Sequence, residues 1–334
     1  MAKYMIKRCL AVIPVFLAVA FVSFGLVSLY PGDYFTPYLI GIAMMGMDPI
    51  AVHSALRMEA GIDKPFIVQS FIWIEGILTE GDFGMSFSGR RVSEILLSSD
   101  AGLQWTLVIT GCSMVLAWLC GIPLGIISTI RNRKWQDMLI SSVAYLGISM
   151  PSYTLALLFF YILYKFIDPL MVGKGLWGLV HYELVHEPMS FTKFASYVIH
   201  LLPAFVIVGS PMFASIVRYM KSSLSNELPK TYLDTARAKG ISELRVIMKH
   251  ATRNALNPLV SLLGMMLPTL ITGSIIASYT LGLPDFGMFF IRAVRGQDQH
   301  VLTAALLFYS TFLVVGNLLA DLLLVVLDPR IRYE

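Results

Sequence analysis

Six long apolar stretches, separated by polar segments, dominate the pattern along this chain of 334 residues. A helix crosses the hydrocarbon of a bilayer with about 20 mostly apolar residues, and each stretch reaches that length with few charges. The stretches cover residues 9–30, 103–130, 138–166, 199–220, 259–281 and 301–327. The pattern predicts an all-α integral membrane protein with six transmembrane helices.

The first stretch needs a separate decision, because Lys3, Lys7 and Arg8 precede it as they would precede a cleavable signal peptide. Its apolar run is too long for a signal peptide, and no Ala-x-Ala cleavage site follows it. It ends instead in the turn-forming sequence PGD at 31–33. We therefore expect an uncleaved first span.

Composition and charge agree with a membrane protein and predict its orientation. Hydrophobic residues make up 57% of the chain and charged residues 14%, with a mean hydropathy of +0.73. Lysines and arginines gather at the N-terminus, at 131–134, at 221–253 and near the C-terminus, whereas segment 31–102 has nine acids against four bases. Because basic loops stay in the cytoplasm, we expect both termini to be cytoplasmic. Segment 1–102 then comprises the first helix and a large extracytoplasmic loop, and 103–334 forms a five-helix core.

The segment at 231–240 is soluble in character although apolar spans flank it. Thr231 followed by Asp234 fits a capping box, in which the threonine hydroxyl accepts a hydrogen bond from a free amide of the first turn. Gly240 suits the left-handed residue that ends a helix. These residues predict a helix of about two turns over 232–239.

A second helix is predicted after Ser242, which can cap it. Arg245, Lys249 and Arg253 recur at every fourth position and would form one basic stripe. Asn257 before Pro258 marks its end or a kink. Short helices are marginal alone, so this pair either docks on a partner or, as an alternative, rests on anionic lipid.

The order Asp234, Ala236, Gly240, followed by a second helix and Asn-Pro, resembles the coupling-helix motif of ABC importer permeases. The sequences TARAKG and RNALNP resemble the dipeptide and oligopeptide branch of that family. The resemblance covers almost the whole chain, with further matches at PGD (31–33), GDFGMS (81–86), GIPLGI (121–126), SMPSY (149–153) and DPRIRY (328–333). The chain departs from the family pattern at Tyr34 and at LGLPDFG (281–287).

The resemblance implies the type I ABC importer fold and a permease subunit that forms half of a path for di- or oligopeptides. It implies that the 231–240 helix lies in a groove of an ATP-binding subunit and transmits its closure through Thr231, Asp234, Ala236, Arg237, Lys239 and Gly240. The implied partners are a second permease chain, two ATP-binding subunits, an extracytoplasmic binding protein and membrane lipid, in the cytoplasmic membrane of a bacterium or archaeon. ATP and Mg²⁺ would sit on the partner subunits, with no cofactor on this chain. Nickel chelates and glutathione are alternative cargos within the family.

The sequence contains no HExxH, GxSxG or GxxxxGK[ST] motif, so we expect a non-catalytic subunit. The alternative from another class is a secondary transporter driven by an ion gradient, which needs ionisable groups at membrane depth. Asp321 is the candidate, with Asn317 one turn earlier. Its structural interpretation is a packing role in which Asp321 pairs with a base such as Arg218.

Residues lining the path are predicted from helix position alone. Small and mildly polar side chains in the fifth span suit varied peptides, with Pro268 as a possible hinge and with Gly273, Ser274 and Ser278. Close packing of helices through small residues explains these residues equally well.

Two other kinds of site are weighed and set aside. His181, Glu183, His186 and Glu187 have side chains that suit nickel, but such residues on a wet loop are usually solvated, so no metal site is predicted. The three cysteines all lie in apolar spans and predict neither disulfides nor a metal site. The net charge of +4 follows from the basic cytoplasmic loops and indicates no nucleic-acid partner.

Overall fold

The computed structural model describes the backbone of residues 2–29, 35–36, 39–59, 63–86, 88–162, 165–166 and 178–327. Side chains are described for the same residues except 2–12, 28, 40, 261–262, 264–265, 267–269, 313 and 319–327. Within these ranges the chain is almost entirely helical, and its β-structure is an isolated bridge between Met85 and Arg91. The all-α prediction is confirmed.

Fifteen α-helices follow one another along the described ranges. The first eight are α1 (Ala2–Ser28), α2 (Leu39–Met44), α3 (Pro49–Glu59), α4 (Phe66–Glu80), α5 (Val92–Leu97), α6 (Leu103–Ile130), α7 (Trp135–Ser149) and α8 (Ser152–Ile162). The others are α9 (Phe191–Glu227), α10 (Thr231–Ala238), α11 (Glu243–Arg245), α12 (Thr252–Ala255), α13 (Asn257–Leu281), α14 (Phe286–Gly296) and α15 (Gln299–Leu327).

Apolar helices occupy all six stretches that the hydrophobic pattern singles out. Helix α6, helix α9 and the Gln299–Leu318 part of α15 are each long and apolar enough to cross a membrane. Two bent pairs pass the same test together, α7 with α8 and Leu270–Leu281 with α14, and α1 includes a shorter apolar stretch, Ile13–Val27. The prediction of a multi-pass helical membrane protein is confirmed.

The predicted third span, 138–166, is wrong as a single straight helix. Helix α7 ends at Ser149, α8 begins at Ser152, and the two axes differ by 113°. Pro151 lacks an amide hydrogen and disfavours the helical conformation of Met150, whose ψ is 129°. The sequence SMPSY therefore forms a corner in the helical chain.

A second corner follows α13, where the sequence LGLPDFG separates it from α14 by an angle of 77°. Gly282 ends α13 with a φ of 66°. The Thr106 hydroxyl of α6 accepts a hydrogen bond from the amide of Phe286 at 2.9 Å. The place where the chain departs from the family pattern thus has a defined local structure.

Two compact units divide the chain. One consists of 1–103 with 288–315, so it includes the predicted N-terminal region, 1–102, together with a later segment. In this unit the ring of Phe24 on α1 packs against Trp73 on α4 at 5.4 Å, and the Trp73 indole donates to the carbonyl of Phe83. Ser86 donates to the carboxylate of Asp298 at 2.6 Å, which fixes the loop after α4.

The other unit, 104–287 with 316–334, is organised around α9. This helix has 37 residues and extends beyond the predicted 199–220 at both ends. Helix α6 approaches α9 at Gly121 and Gly125, where an added Cβ would lie 2.8 Å from Ile216 and 2.6 Å from Met220. Helix α7 approaches α9 at Gly147, where an added Cβ would lie 2.9 Å from the carbonyl oxygen of Ser210. These small residues let the backbones come close, which is how helices associate where lipid supplies no hydrophobic drive.

We predict that Gly125→Ala destabilises the protein, because overpacking of a tight contact costs about 1–3 kcal/mol. Thermal unfolding in mild detergent measures the effect. The control is Gly111→Ala in the same helix, where no atom of the described residues lies within 4 Å of an added Cβ, so the higher helix propensity of alanine leaves stability equal or raised. Equal midpoints for the two variants would contradict the packing described here.

Candidate functional site

The insert between α9 and α13, residues 228–256, is the segment that sequence analysis selects as functional. It begins with α10, whose N-cap is Lys230 with φ −74° and ψ 138° and without a side-chain hydrogen bond. The predicted capping role of Thr231 is therefore wrong, because the helix starts one residue earlier and Thr231 is its first helical residue. Asp234 lies in the first turn as predicted, where its charge suits the positive end of the helix.

Gly240 ends the first helix as predicted. Its φ is +75°, in the left-handed region. The amide of Gly240 donates to the carbonyl of Arg237 at 2.9 Å, and the amide of Ile241 donates to the carbonyl of Ala236 at 3.3 Å. This pair of bonds is a Schellman motif, which satisfies carbonyls that the helix end leaves without intrahelical partners.

The predicted second helix is interrupted. Ser242 takes the N-cap position without a side-chain bond, and α11 gives way to a π-helical segment, Val246–Ala251, before α12. The π segment places Val246, Ile247 and Ala251 in the interior. The predicted regular stripe of Arg245, Lys249 and Arg253 is thus wrong as an α-helical stripe, although all three side chains are exposed. A new helix, α13, starts at Asn257, so the predicted boundary before Pro258 is confirmed.

The inner face of α10 belongs to the hydrophobic core of the membrane helices. Leu233 is fully buried and Ala236 is 9% exposed. Both belong to one continuous apolar cluster with Leu224 at the end of α9, Val246 in the π segment and Leu259 at the start of α13. The insert is therefore packed onto the helices it connects rather than attached by flexible loops.

A buried carboxylate joins three parts of the insert. Glu227, the last residue of α9, accepts a hydrogen bond from the Tyr232 hydroxyl at 2.7 Å and one from the Asn254 amide at 3.2 Å. Asn254 also donates to the Tyr232 hydroxyl at 3.0 Å, and Lys230 forms an ion pair with Glu227 at 2.5 Å. Burial and the neighbouring carboxylate raise the pKa of Tyr232. The ends of α9, α10 and α12 are thus hydrogen-bonded together.

The outer face of α10 is charged. The Arg237 guanidinium donates two hydrogen bonds to Glu243 at 3.0 Å and one to Asp234 at 2.8 Å. These bonds raise the pKa of Arg237 above its usual value and lower the pKa of Glu243. Because both acids are more than half exposed, the ion pairs add little stability, but they orient the guanidinium.

Several residues of this site were not predicted. Asn254 lies within the RNALNP motif, but the hydrogen bonds that join it with Glu227 and Tyr232 were not predicted, because they depend on contacts between separate helices. Two apolar side chains beside the charged face, Leu244 and Met248, are 66% and 50% exposed. Each adjoins a charged residue in the chain, Glu243 and Lys249, which was the available signal for an exposed position.

Comparisons with known proteins decide the family. Residues 121–333 match the family described as binding-protein-dependent transport system inner membrane component. This chain belongs to that family. The permease resembles the oligopeptide transport system permease protein AppB of Bacillus subtilis (strain 168), with 33% identity over all of both chains. It is 30% identical to the dipeptide transport system permease protein DppB of Escherichia coli (strain K12), again over all of both chains. The glutathione transport system permease protein GsiC of Salmonella typhimurium is 33% identical over the same extent.

One solved structure supports the fold. A chain of the MetNI methionine ABC transporter in an inward-facing conformation superposes with a TM-score of 0.52. The likeness covers 68% of this permease and 94% of that chain, at 17% identity, and it concerns the fold alone. The predicted type I ABC importer fold and the predicted family are confirmed.

The residues suggested for the path lie mostly inside the permease. Ser274 and Ser278 are fully buried, and an added Cβ on Gly273 would meet Val208 of α9 at 4.0 Å. This burial favours the helix-packing alternative. The side chain of Pro268 lies outside the described residues. The exposed face of α13 instead presents Thr272, Ile276 and Tyr279.

The remaining predicted residues are placed as follows. Asn317 is exposed on α15, whereas the side chain of Asp321 lies outside the described residues, so its pairing with Arg218 stays a prediction. The guanidinium of Arg218 lies over the ring of Tyr219 at 5.4 Å. His181 approaches Glu183 at 3.5 Å, and no group of three or more metal-ligating side chains occurs in the described part of the chain. The nickel interpretation thus gains no support.

We predict that Glu227→Leu loosens the insert, because Tyr232 and Asn254 lose their acceptor at a cost of about 1–3 kcal/mol. Hydrogen exchange of the amides at 228–256 should become faster. Glu227→Gln keeps an acceptor oxygen and should largely preserve protection. Glu243→Leu, which removes an exposed partner of Arg237, should change little. Similar exchange in all three variants would contradict a joining role for Glu227.

Proposed function

We propose that this permease forms half of the translocation path of an ATP-driven importer for di- and oligopeptides. The observation that supports the proposal most strongly is the construction of α10. Its inner face shares the core of α9 and α13, while its outer face presents an arginine that Asp234 and Glu243 orient. A helix built in this way can receive a force from a partner and pass it to the membrane helices.

The proposed topology places both termini and the insert in the cytoplasm. The basic segments that support it are the N-terminus, 131–134, 221–253 and the C-terminus. The acidic segment 31–102 then faces outward, where it is available to a substrate-binding protein. The membrane would be the cytoplasmic membrane of a bacterium or archaeon.

The energy would come from two ATP-binding subunits that hold ATP and Mg²⁺, since this chain contains no nucleotide-binding motif. One of them would hold α10 in a groove, in contact with Asp234, Arg237 and Lys239. Closure of the ATPase pair then acts only through its different affinity for the two states of the permease. A second, related permease chain would supply the other half of the path.

The insert is suited to transmit that closure. Moving α10 away from α9 and α12 would withdraw hydrogen bonds from a carboxylate that is 7% exposed, which is costly in a buried site. The three helix ends are therefore expected to move as one body. Because α12 leads directly into α13, the motion reaches two membrane helices together.

Peptides are the cargo that the relatives support best. AppB is named for oligopeptides, DppB for dipeptides and GsiC for glutathione, itself a small peptide. The shared chemical feature is a peptide backbone, whereas a nickel chelate would need metal-specific contacts. We therefore place peptides first, with glutathione as the nearest alternative.

We predict that Gly240→Val lowers the ATP hydrolysis that a peptide-loaded binding protein stimulates in the purified complex. A β-branched residue at φ +75° strains the turn after α10, although no atom lies within 4 Å to clash with it. The loss should be severalfold, with normal membrane insertion. Gly240→Asn is the matched control, since asparagine tolerates the left-handed region. Unchanged stimulation in Gly240→Val would refute the coupling role.

The cargo and the energy source can be tested on the complex purified from its native membrane. We expect mass spectrometry to find two ATP-binding subunits, a second permease and a binding protein that carries peptide. Uptake into proteoliposomes should require ATP and persist when an ionophore collapses the proton gradient. A homo-oligomer without an ATPase, with ionophore-sensitive uptake, would instead establish a secondary transporter. A nickel chelate found in the binding protein would show that the cargo is a nickel chelate and not a peptide.

A further inference from the structure

A groove lies between α7 and the part of α9 that precedes the insert. It encloses a cavity of about 300 Å³. Helix α7 lines it with residues spaced three and four apart, and α9 lines it in the same way, so each helix contributes one face. The lining includes Ala144 and Ile148 on α7 and Ala214, Arg218, Lys221 and Ser225 on α9.

Polarity changes along the groove. The two helices run in opposite directions, because Gly147 faces Ser210 whereas Asp137 meets Lys221. The late residues of α7 therefore lie opposite the early lining residues of α9. Ile148, Ala144 and Ala214 make one end apolar. The other end, nearest α10, contains Lys221 and Ser225. A ligand that fits this gradient has a polar head and an apolar tail.

The polar end has an excess of positive charge. Asp137, which is 5% exposed, accepts hydrogen bonds from Lys221, from the Ser128 hydroxyl and from the Arg133 amide. This buried acid holds the Lys221 ammonium at the groove wall and balances one charge. Arg218 adds a second cation, and no acid is among the described residues that line the groove. The ligand head is therefore expected to be anionic.

The protein surface next to the groove is apolar. The adjoining face of α7 exposes Leu139, Val143 and Leu146, each by more than half, and Trp135 is 70% exposed at the same end as the cations. A contiguous apolar surface of this kind marks a face that contacts membrane lipid or another protein. Trp is enriched at the membrane interface, which places the polar end of the groove at headgroup depth.

We propose that this groove binds one anionic phospholipid, with its phosphate at Arg218, Lys221 and the nearby serine hydroxyls and one acyl chain along Ile148 and Ala144. Guanidinium groups bind phosphate in a two-pronged geometry. On the proposed topology the polar end lies in the cytoplasmic leaflet, and basic pockets between helices on that side bind anionic lipid headgroups. The bound lipid would act as a wedge between α7 and α9 beside the coupling insert.

The test uses the intact purified complex and a photoactivatable phosphatidylglycerol. We expect labelling of α7 and α9 at the groove, competed by phosphatidylglycerol and not by phosphatidylcholine with the same acyl chains. Arg218→Gln should lower the labelling about fivefold, the effect of one basic residue near an anionic surface.

A second pair of variants tests the proposal independently if Arg218→Gln disturbs folding. Ser225 is exposed and lines the groove, so Ser225→Asp should repel the lipid and lower labelling by a similar factor. Asn226→Asp adds the same charge one residue later, at an exposed position outside the lining, and should leave labelling unchanged. Equal effects of the two acids would overturn the assignment of the groove.

Three other outcomes would also overturn the proposal. Equal competition by phosphatidylcholine would mean that the headgroup charge is irrelevant. Displacement of the label by inorganic phosphate alone would identify a site for free anions. Cross-linking of a photoreactive amino acid placed at Tyr145 to the second permease chain, with no lipid label, would show that a protein helix fills the groove.

Discussion

The close approach of α6 and α7 to α9 is the contact on which the other features of this permease depend. At Gly121, Gly125 and Gly147 a β-carbon would come within 3.0 Å of the facing helix, so only glycine permits these distances. Lipid tails are as apolar as the helix surfaces, and packing at small residues therefore replaces the hydrophobic drive of soluble proteins. The result is a well-supported helix of 37 residues, and both sites discussed above lie along its end.

The cytoplasmic insert extends the same core. Leu233 and Val246 are fully buried, and they continue the apolar cluster that α9 shares with α13. Glu227 adds a polar connection between three helix ends. If one end were displaced, this buried acid would lose a hydrogen-bond donor, which is costly. An insert of marginal intrinsic stability thereby gains a defined position.

Two buried acids order this end of the bundle in different ways. Glu227 ties helix ends together, and Asp137 holds a lysine at the wall of a groove. Both are satisfied by several donors, which is the condition for a stable buried charge. The first arrangement suits the transfer of force and the second suits the binding of an anion, although the two acids lie on α9 and α7, which pack against each other.

The sequence by itself determined the structural class of this protein, its apolar helices and several of the residues at which helices end. Apolar length predicted the helical stretches, and the freedom of Gly240 at positive φ predicted the end of α10, because these features depend on residues close in the chain. Family membership followed from motifs spread over the whole sequence. Local rules failed at the cap, where Lys230 rather than Thr231 precedes the helix, and in the π segment, where burial of Val246 and Ile247 outweighs regular α-helical spacing.

Only the tertiary structure decided which separated residues meet. The bonds of Glu227 with Asn254, 27 positions later, and of Asp137 with Lys221, 84 positions later, have no signature in either local segment. The same holds for Ser274 and Ser278, whose burial depends on the helix that covers them. Such contacts arise from the packing of long helices against one another. That packing depends on the shapes of side chains throughout the bundle rather than on the residues beside each position in the chain.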